Sequence, residues 1–441
     1  MRKADLVIIG GGPAGMSAAI EGVRHNLDVV LIEDCAELGG KVLKKANLSL
    51  HAGEGEDSEK MARIKLHSAF SSIADKVALF SNSDVWNVSS EKLVEFCSHS
   101  PTQNSAVSVQ AKKIIVANGA VDRIVPFPGW HLPGVFTIGG LNTFVKRGAL
   151  PGNNIVVSGT GPLHVALVYY LVNAGVKVTA VVDPNSMFGM VPTGWNLLTG
   201  GGMDKLIMGM KYLFKIRKER VPFYYSHIVT EVVGNDRAEG ALISKVDSQW
   251  KPIEGTERKV KADIVATGYN LLPITEAARL VGCSTYYNEE FGHLLVEHND
   301  NMETSVEGVF VAGDGAAIKG FQAAADEGKI AAIEVARQLG KISDQVAEEL
   351  ITSSQRKLRG ARRIGIAMCK SARPRPGLLE IVTSETLVCR CEETTYDDIK
   401  TAVGNGARDI NDLKRRTRLG MGNCQGTFCG QVANELMWKA A

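Results

Sequence analysis

The sequence predicts an α/β fold with two β-α-β units and a separate small domain at the C-terminus. Two apolar strands each run into a glycine-rich turn and then a helix, once near residue 10 and again near residue 160. A third apolar strand, near residue 310, ends in a glycine-rich turn ahead of an alanine-rich helix. Four of the eight cysteines lie within the last 53 residues, which sets this tail apart from the rest of the chain.

Composition is that of an ordinary globular protein. The 441 residues are 45% hydrophobic and 22% charged, with a formal net charge of +2. These values exclude a disordered chain, a collagen-like repeat and a strongly basic nucleic-acid binder. The length suggests about three domains, and the 46 glycines exceed the usual share of ~7%, which predicts several tight turns.

The N-terminal residues Met1–Asp5 lead straight into an apolar strand, which leaves no room for a signal peptide, so we expect a cytoplasmic location. Residues 155–176 contain no Asp, Glu, Lys or Arg and are long enough to cross a bilayer. A Gly-Thr-Gly-Pro turn near the start of this stretch instead favours a strand, a turn and a buried helix. We therefore expect no transmembrane segment.

The first glycine-rich turn has the spacing Gly-x-Gly-x-x-Gly between a strand and a helix, the context of the dinucleotide-binding fingerprint. Its glycines allow a tight turn, approach of a pyrophosphate and close packing of helix and strand, while the helix N-terminus supplies amide donors. An acidic residue closing the next strand can bind ribose hydroxyls and repel a 2′-phosphate, which favours FAD or NAD over NADP. This unit is thus predicted to be Rossmann-like. The predicted contacts are Gly10, Gly12, Pro13, Ala14, Gly15 and Glu33.

Two further segments favour FAD. Residues 38–41, Leu-Gly-Gly-Lys, resemble a loop that flavoproteins with two dinucleotide domains place against the nucleotide, and residues 313–315, Gly-Asp-Gly, resemble their second FAD signature. The aspartate can serve both as a helix N-cap and as a flavin contact. Residues 1–118 and 265–345 are expected to form one discontinuous FAD domain, interrupted by an NAD-like domain at 119–264. The further predicted contacts are Gly39, Gly40, Lys41, Asn118, Gly119, Gly313 and Asp314.

The second glycine turn departs from the fingerprint at its third position. Gly159 and Gly161 are followed by His164, where a small residue normally allows close helix packing. Asp183 ends the next strand, where it could hold a ribose. The pattern leaves open whether this domain holds NAD, another adenine nucleotide or no ligand. We assign no role to His164.

The C-terminal cysteines have the spacing of a metal site. Four thiolates are the number that an iron-sulfur cluster needs. Zinc is the rival, but its cysteine pairs usually have the spacing Cys-x2-4-Cys, so the closer Cys-x-Cys pair favours iron and sulfur. The chain has no Cys-x-x-Cys pair of the disulfide reductases. The predicted metal ligands are Cys389, Cys391, Cys424 and Cys429.

Two other features complete the predicted domain organisation. Residues 356–375 carry eight basic and no acidic residues, which predicts a solvated basic linker at 346–380 or a surface for docking a partner. The cysteine-rich domain is then expected at 381–441. The remaining cysteines are expected to be small packing residues. These are Cys35, Cys97, Cys283 and Cys369.

Longer motifs carry a family resemblance. Residues 388–393, 406–409 and 420–430 resemble the bacterioferritin-associated-ferredoxin type of 2Fe-2S domain. Residues 126–135 and 268–273 resemble the α subunits of heteromeric FAD-dependent amino-acid and opine dehydrogenases, a group with octopine and nopaline oxidases, hydrogen cyanide synthase and dye-linked L-proline or D-hydroxyproline dehydrogenases. Asn118 stands where these sequences usually have Thr. The resemblance implies two dinucleotide-binding domains of the two-domain flavoprotein type and a small, mainly helical iron-sulfur domain.

In that family the substrate is oxidised on a separate β subunit, which has its own FAD and resembles D-amino-acid or sarcosine oxidases. The resemblance implies that this chain relays electrons through FAD and a 2Fe-2S cluster to a dye or a respiratory acceptor. Contact with a respiratory acceptor would place the chain peripherally at the inner membrane. Some members hold FMN at the subunit interface and ATP in the NAD-like domain, and a small γ subunit is a further expected partner. No acid-base residue for C–N oxidation is identified here.

Two other functions stay open at this point. The chain could be a self-contained NADH-dependent flavoprotein reductase that passes electrons through its cluster. It could also be a scaffold in which an adenine nucleotide is a structural ligand.

Overall fold

The computed structural model describes residues 1–44, 58–100, 103–187, 194–195, 198 and 202–441. Within these ranges the chain forms two sheets covered by helices and a small C-terminal domain that packs on the second sheet's domain. None of the described helices combines the length and apolar composition needed to span a bilayer.

The first sheet is built around the long strand Asn104–Val116. One edge of this strand pairs in parallel with Arg2–Ile9, while the other edge pairs first with Leu93–His99 and then, near its end, with Val309–Val311. Arg2–Ile9 is apolar and buried from Leu6 onward, as expected where helices cover both faces of parallel strands. The order of the main path is Val77–Phe80, Val29–Ile32, Arg2–Ile9, Asn104–Val116, Leu93–His99 and Ser83–Val88.

Two helices pack against each other on one face of this sheet, Pro13–Arg24 and Phe321–Gln338. A Cβ on Gly328 would lie 2.0 Å from the Ala14 carbonyl oxygen, so the helix crossing requires a glycine there. Both helices follow strands of the first sheet, and their N-termini therefore lie at the carboxyl edge. The remaining elements of this part are Gly40–Leu43, Ser58–Ser71, Ala74–Lys76, Glu276–Leu280, Thr285–Asn288, His293–Val296 and Gly313–Gly315.

The second sheet has five parallel strands. The uncharged stretch at 155–176 lies in strand Asn154–Thr160 and helix Pro162–Asn173, as predicted. A three-stranded antiparallel sheet packs on the same domain. The five strands are, in order, Phe223–Tyr225, Lys177–Asp183, Asn154–Thr160, Ile264–Tyr269 and Val135–Thr137, the helices are Ile138–Lys146, Pro162–Asn173 and Met203–Lys218, and the antiparallel strands are His227–Val233, Gly240–Lys245 and Arg258–Lys261.

A two-stranded ribbon carries the chain from the first domain to the second and back. Ala120–Asp122 pairs antiparallel with Leu271–Pro273, and the Ile274 amide donates to the Gly119 carbonyl at 3.0 Å. The predicted boundary at 264/265 is therefore placed too early, because it falls inside strand Ile264–Tyr269, which belongs to the second sheet.

The predicted basic linker at 346–380 is mostly a helix, Asp344–Ala372, of 29 residues. One stripe of its side chains, including Ile351 and Ile364, is buried, and it packs on helix Phe321–Gln338. The basic residues occupy the opposite face, so this segment is an integral helix with one buried stripe and the prediction of a solvated linker is wrong.

The C-terminal domain is mainly helical, as the resemblance implies. A capping box starts its first helix, in which the Thr395 hydroxyl accepts from the Asp398 amide and the Asp398 carboxylate accepts from the Thr395 amide. Ile399, Leu413 and Leu436 are fully buried between the helices. The elements are Pro376–Ile381, Leu387–Cys389, Thr394–Thr395, Tyr396–Gly404, Ile410–Thr417 and Gly430–Ala440.

Candidate flavin and iron-sulfur sites

The first glycine-rich turn joins strand Arg2–Ile9 to helix Pro13–Arg24, as predicted. A Cβ on Gly15 would lie 1.8 Å from the Gly10 carbonyl oxygen, so this close approach of helix and turn requires glycine. Gly12 is the N-cap, and no side chain caps the helix. The amides of the first helical turn are therefore available to an anion outside the turn.

The Glu33 carboxylate lies against this turn. Its Oε2 accepts a hydrogen bond of 2.6 Å from the Gly11 amide, and its Oε1 accepts one of 3.3 Å from the Cys35 amide. Burial, together with the neighbouring Asp34 carboxylate, raises the pKa of Glu33 to about 7. The carboxylate thus lies directly after strand Val29–Ile32, where a ribose would lie in the predicted site.

Gly11 was missed by the sequence reasoning, which used only the fingerprint glycines. A Cβ on Gly11 would lie 2.4 Å from the Leu38 side chain, and the Gly39 amide donates to the Gly11 carbonyl at 2.9 Å. The run of three glycines was the available signal. Lys41 extends the contact, because its Nζ donates to the Ala120 carbonyl at 2.6 Å. The residues brought together here are Gly10, Gly11, Gly12, Pro13, Ala14, Gly15, Glu33, Gly39, Gly40 and Lys41.

Two side-chain oxygens near the carboxyl ends of adjacent strands are buried without a hydrogen-bond partner among the described residues. They are Asn118 Oδ1 and Asp314 Oδ1, which follow the paired strand residues Val116 and Val311. An unsatisfied buried acceptor costs about 1–3 kcal/mol. A ligand with hydroxyl groups, such as a ribityl chain, would satisfy both, so these residues fit a flavin nucleotide.

The buried Asp314 carboxylate has charged neighbours. Burial, together with the nearby Glu327 carboxylate, raises the pKa of Asp314 to about 6. Glu327 accepts a hydrogen bond of 2.9 Å from the Gly313 amide and forms an ion pair with Lys319. A Cβ on Gly313 would lie 3.1 Å from the Ala14 side chain, so the second FAD signature lies against the first.

The second glycine turn forms as predicted, but other residues of this chain fill the space beside it. A Cβ on Gly161 would lie 3.3 Å from the Cβ of Ala372, which is the last residue of the long helix Asp344–Ala372. Asn185 Nδ2 donates to the Ser371 carbonyl at 3.2 Å. A helix C-terminus carries partial negative charge, which is unfavourable where a pyrophosphate would bind.

Neither His164 nor Asp183 has the properties of an open nucleotide site. His164 is fully buried in its helix, and burial lowers its pKa to about 4. Asp183 ends its strand as predicted, but it is buried, accepts from the Asn185 amide at 2.8 Å, and has its pKa raised to about 7 by burial. The coverage by Ser371 and Ala372 was not visible in the sequence, since it joins residues about 200 positions apart.

The four C-terminal cysteines lie together as predicted. Cys391 and Cys424 face solvent, at least in part, with their Sγ atoms 4.0 Å apart, whereas Cys389 and Cys429 are buried. Burial raises the pKa of the Cys429 thiol to about 12, and the neighbouring Cys389 and Cys424 contribute to this shift in that order. The eight cysteines all lie in the described ranges, and each of them is free. Of the four expected packing residues, Cys283 and Cys369 are buried and Cys35 and Cys97 are partly exposed.

The backbone around these cysteines is suited to thiolates. Burial would raise the pKa of Cys389, but amide donors at Gly420, Glu392 and Cys391 outweigh it and lower that pKa. A Cβ on Gly422 would lie 2.2 Å from the Cys391 Cβ, so glycine is required there. Amides that donate to cysteine sulfur also stabilise iron-sulfur clusters, and the donor set fits a 2Fe-2S cluster.

The cysteine domain is fixed to the second domain by Trp130, whose Nε1 donates to the Leu387 carbonyl at 2.6 Å. The Arg390 guanidinium lies 5.3 Å from the centre of the Trp130 ring and donates to the His131 carbonyl at 3.0 Å. Arg123 forms an ion pair with Glu435. In the sequence, residues 126–135 carry only the family resemblance, because their contact with residues 387–390 joins segments about 260 positions apart.

Comparison with known proteins agrees with both parts of this architecture. The family described as pyridine nucleotide-disulphide oxidoreductase matches residues 4–340, and the BFD-like 2Fe-2S binding domain matches residues 387–438. Hydrogen cyanide synthase subunit HcnB of Pseudomonas protegens is 31% identical over 439 residues, covering 98% of this chain and 92% of that protein. An opine oxidase subunit from Rhizobium meliloti is 29% identical over 445 residues, with the same coverage of 98% and 92%.

A solved structure extends the similarity to the whole fold. The L-proline dehydrogenase from P. horikoshii has a TM-score of 0.68 and 19% identity, covering 99% of this chain and 73% of that one. Since the first family match spans most of the sequence, the chain belongs to the pyridine nucleotide-disulphide oxidoreductase family and is an oxidoreductase with an added BFD-like 2Fe-2S domain, a combination that implies FAD and a 2Fe-2S cluster as cofactors.

Proposed function

We propose that this chain is the electron-transfer α subunit of a multi-subunit FAD-dependent dehydrogenase. In this proposal a separate β subunit oxidises the C–N bond of an opine or a proline-like amino acid. This chain lies in the cytoplasm and relays the electrons to a dye or to a respiratory acceptor, through which it associates peripherally with the inner membrane. A flavin takes up two electrons whereas a 2Fe-2S cluster carries one, so the pair lets electrons leave singly.

One observation carries the proposal, namely that a short segment, residues 119–135, contacts both candidate cofactor sites. Near its start the Ala120 carbonyl accepts a hydrogen bond from Lys41 in the flavin site. Trp130, later in the segment, contacts Leu387 beside the cysteine site. An electron relay needs a fixed distance between its two redox sites, and a segment that contacts both sites supports such a fixed distance.

The names of the relatives support the substrate class. One relative is a subunit of opine oxidase, another is a subunit of hydrogen cyanide synthase, and the solved structure is an L-proline dehydrogenase. The first two are named as subunits, which supports a partner for this chain. We include in the proposal a β subunit similar to D-amino-acid or sarcosine oxidases. A small γ subunit, an interface FMN and an adenine nucleotide in the second domain are further elements, and the cofactor content and subunit composition of the complex would test them.

The competing function, an NADH-dependent reductase, needs an open second nucleotide site. Ala372 occupies the space beside Gly161, which argues against the reductase function. Asp183 is buried as well, so the ribose of NADH would lack its usual carboxylate partner.

The test is an anaerobic titration of the purified complex and of this chain alone, with octopine, nopaline, proline and NADH, followed by flavin absorbance. We expect bleaching of the complex by one of the amino-acid substrates and no bleaching of the isolated chain. Bleaching of the isolated chain by an amino acid would exclude a relay-only role, and rapid bleaching by NADH would favour the reductase. A Cys391→Ser variant that assembles but loses turnover would exclude a purely structural scaffold.

A further inference from the structure

Helix Met203–Lys218 carries an exposed apolar stripe that the proposed redox role does not use. Met203, Ile207, Met210 and Phe214 are 47%, 55%, 56% and 73% exposed. Their spacing of four, three and four residues places them on one face of the helix. This is the 3-4 spacing of a helix-packing seam, in which each residue enters a hole on a facing helix.

The opposite face of the same helix anchors it to the second domain. Tyr212 and Ile216 are buried, and the Tyr212 ring stacks on Tyr169 with centroids 4.0 Å apart. The helix is therefore a fixed part of its domain, and the stripe is presented on a rigid support. A rigid support lowers the entropy cost of docking a partner.

Charge around the stripe favours an acidic partner. The helix contains five basic residues and one acidic residue, and its last turn holds Lys215, Arg217 and Lys218. Lys215 is paired with Glu219, so part of this charge is already compensated. Lys211 and Lys218 fall beside the stripe at helical spacing. Acidic residues flanking the seam of a facing helix would pair with them, as e and g residues do in coiled coils.

The same observations disfavour two other occupants. A second copy of this chain would bring one strongly basic helix against another, and like charges across an interface are costly. Cations beside an apolar stripe also suit an anionic membrane surface, but the stripe here is a single narrow seam, and its 3-4 spacing matches a facing helix.

We propose that this stripe is the docking site for an amphipathic helix of another subunit, with apolar residues at 3-4 spacing and acidic residues on their flanks. The inference rests on the proposed function, since it assumes a multi-subunit enzyme.

The test is a site-specific photo-cross-link within the complex purified from its source through a tag on this chain. The photoreactive residue p-benzoylphenylalanine replaces Phe214, and a second preparation carries it at Leu280, an equally apolar position that is 55% exposed in the first domain. We expect cross-links from position 214 to a helix of another subunit with the stated pattern, and none to that helix from position 280.

Substitutions give a second readout. We expect Ile207→Glu with Phe214→Glu to reduce the amount of the co-purified partner at least tenfold, and Leu280→Glu to leave that amount unchanged. Lys211→Glu with Lys218→Glu should weaken retention most at low salt, where charge pairing is least screened.

Cross-links from position 214 to a second copy, to this chain itself or to lipid, or none at all, would overturn the inference. If another subunit co-purifies but is never reached from position 214, only the docking site is wrong. If no other subunit co-purifies, the proposed function fails too.

Discussion

Trp130 Nε1 donates a hydrogen bond to the main-chain carbonyl of Leu387 at 2.6 Å. Trp130 lies on the segment that leaves the flavin domain, and Leu387 precedes Cys389 by two residues. The bond therefore links the Trp130 side chain, on the segment that leaves the flavin domain, to the backbone that carries a predicted cluster ligand. Trp130 is 6% exposed and Leu387 is half-buried, so the bond is partly shielded from water.

Replacing Trp130 with Phe tests this link. The change removes the donor of a part-buried hydrogen bond, a loss that costs about 0.5–1.5 kcal/mol. We expect Trp130→Phe to keep its iron and flavin but to slow electron passage from flavin to cluster and to make the C-terminal domain easier to cleave by protease. Stopped-flow absorbance and limited proteolysis measure the two effects. Trp86→Phe, at a position 57% exposed, is the control, and equal behaviour of the two variants would refute the linking role.

Gly422→Ala tests the cysteine site. The new Cβ would lie 2.2 Å from the Cys391 Cβ, which forces the ligand loop to move. We expect the purified variant to lose most of its iron and its visible cluster absorbance while the flavin stays bound. Gly404→Ala, in the same domain and with open space around the added atom, should retain full iron. Normal iron in both variants would contradict the requirement for glycine at position 422.

Asp314→Asn separates ligand binding from stability. Loss of a charge-assisted hydrogen bond predicts FAD binding weaker by about 10- to 100-fold. Burial raises the pKa of Asp314 to about 6 from 3.8, so the ligand-free folded state loses stability as pH rises through that interval. The ligand-free variant should therefore melt higher than the wild type at pH 8 although it binds FAD less well. Asp326→Asn, on the following helix, is the control, and calorimetry measures both quantities.

His164→Leu tests the second domain through pH. Burial lowers the pKa of His164 to about 4 from 6.5, so the unfolded chain binds more protons than the folded one between these values. The stability contributed by the neutral imidazole is present above pH 6.5 and is lost as pH falls toward 4, by up to about 3 kcal/mol. As pH drops from 7.5 to 5, the melting temperature of the wild type should fall more than that of the variant. His131→Leu, at an exposed position, controls for loss of a histidine, and parallel curves for His164→Leu and wild type would contradict the argument.

The elements set by local pattern were predictable from the sequence. Both strand-turn-helix units and the uncharged stretch at 155–176 occur as expected, because glycine spacing and apolar runs act over a few residues. The helical C-terminal domain also occurs as expected, but that expectation came from the family resemblance. The relative placement of Glu33, Asp314 and the glycine turn also follows from the carboxyl edge of a parallel sheet, although their binding roles stay predictions.

Features that depend on distant pairing were not predictable. Strand Ile264–Tyr269 resembles the strand before Asn118 in sequence, since both are apolar runs that end in a polar residue and glycine. Only its neighbours, Asn154–Thr160 and Val135–Thr137, place it in the second sheet. Likewise helix Asp344–Ala372 has six basic and no acidic residues after position 355, which predicts a solvated segment, and its buried stripe is recognisable only once a helix is assumed.

The pairing of strand Val309–Val311 with residues 114–116 has a consequence for how the protein is made. The ribosome must complete the whole second sheet, whose last strand ends at Tyr269, before the closing strand of the first sheet emerges. The inserted domain can therefore fold during synthesis. Until residue 309 emerges, the half of the flavin domain that is made first has one edge of Asn104–Val116 unpaired. A newly made chain that stops short of residue 309 would expose this edge, and chaperone binding should be concentrated in that interval.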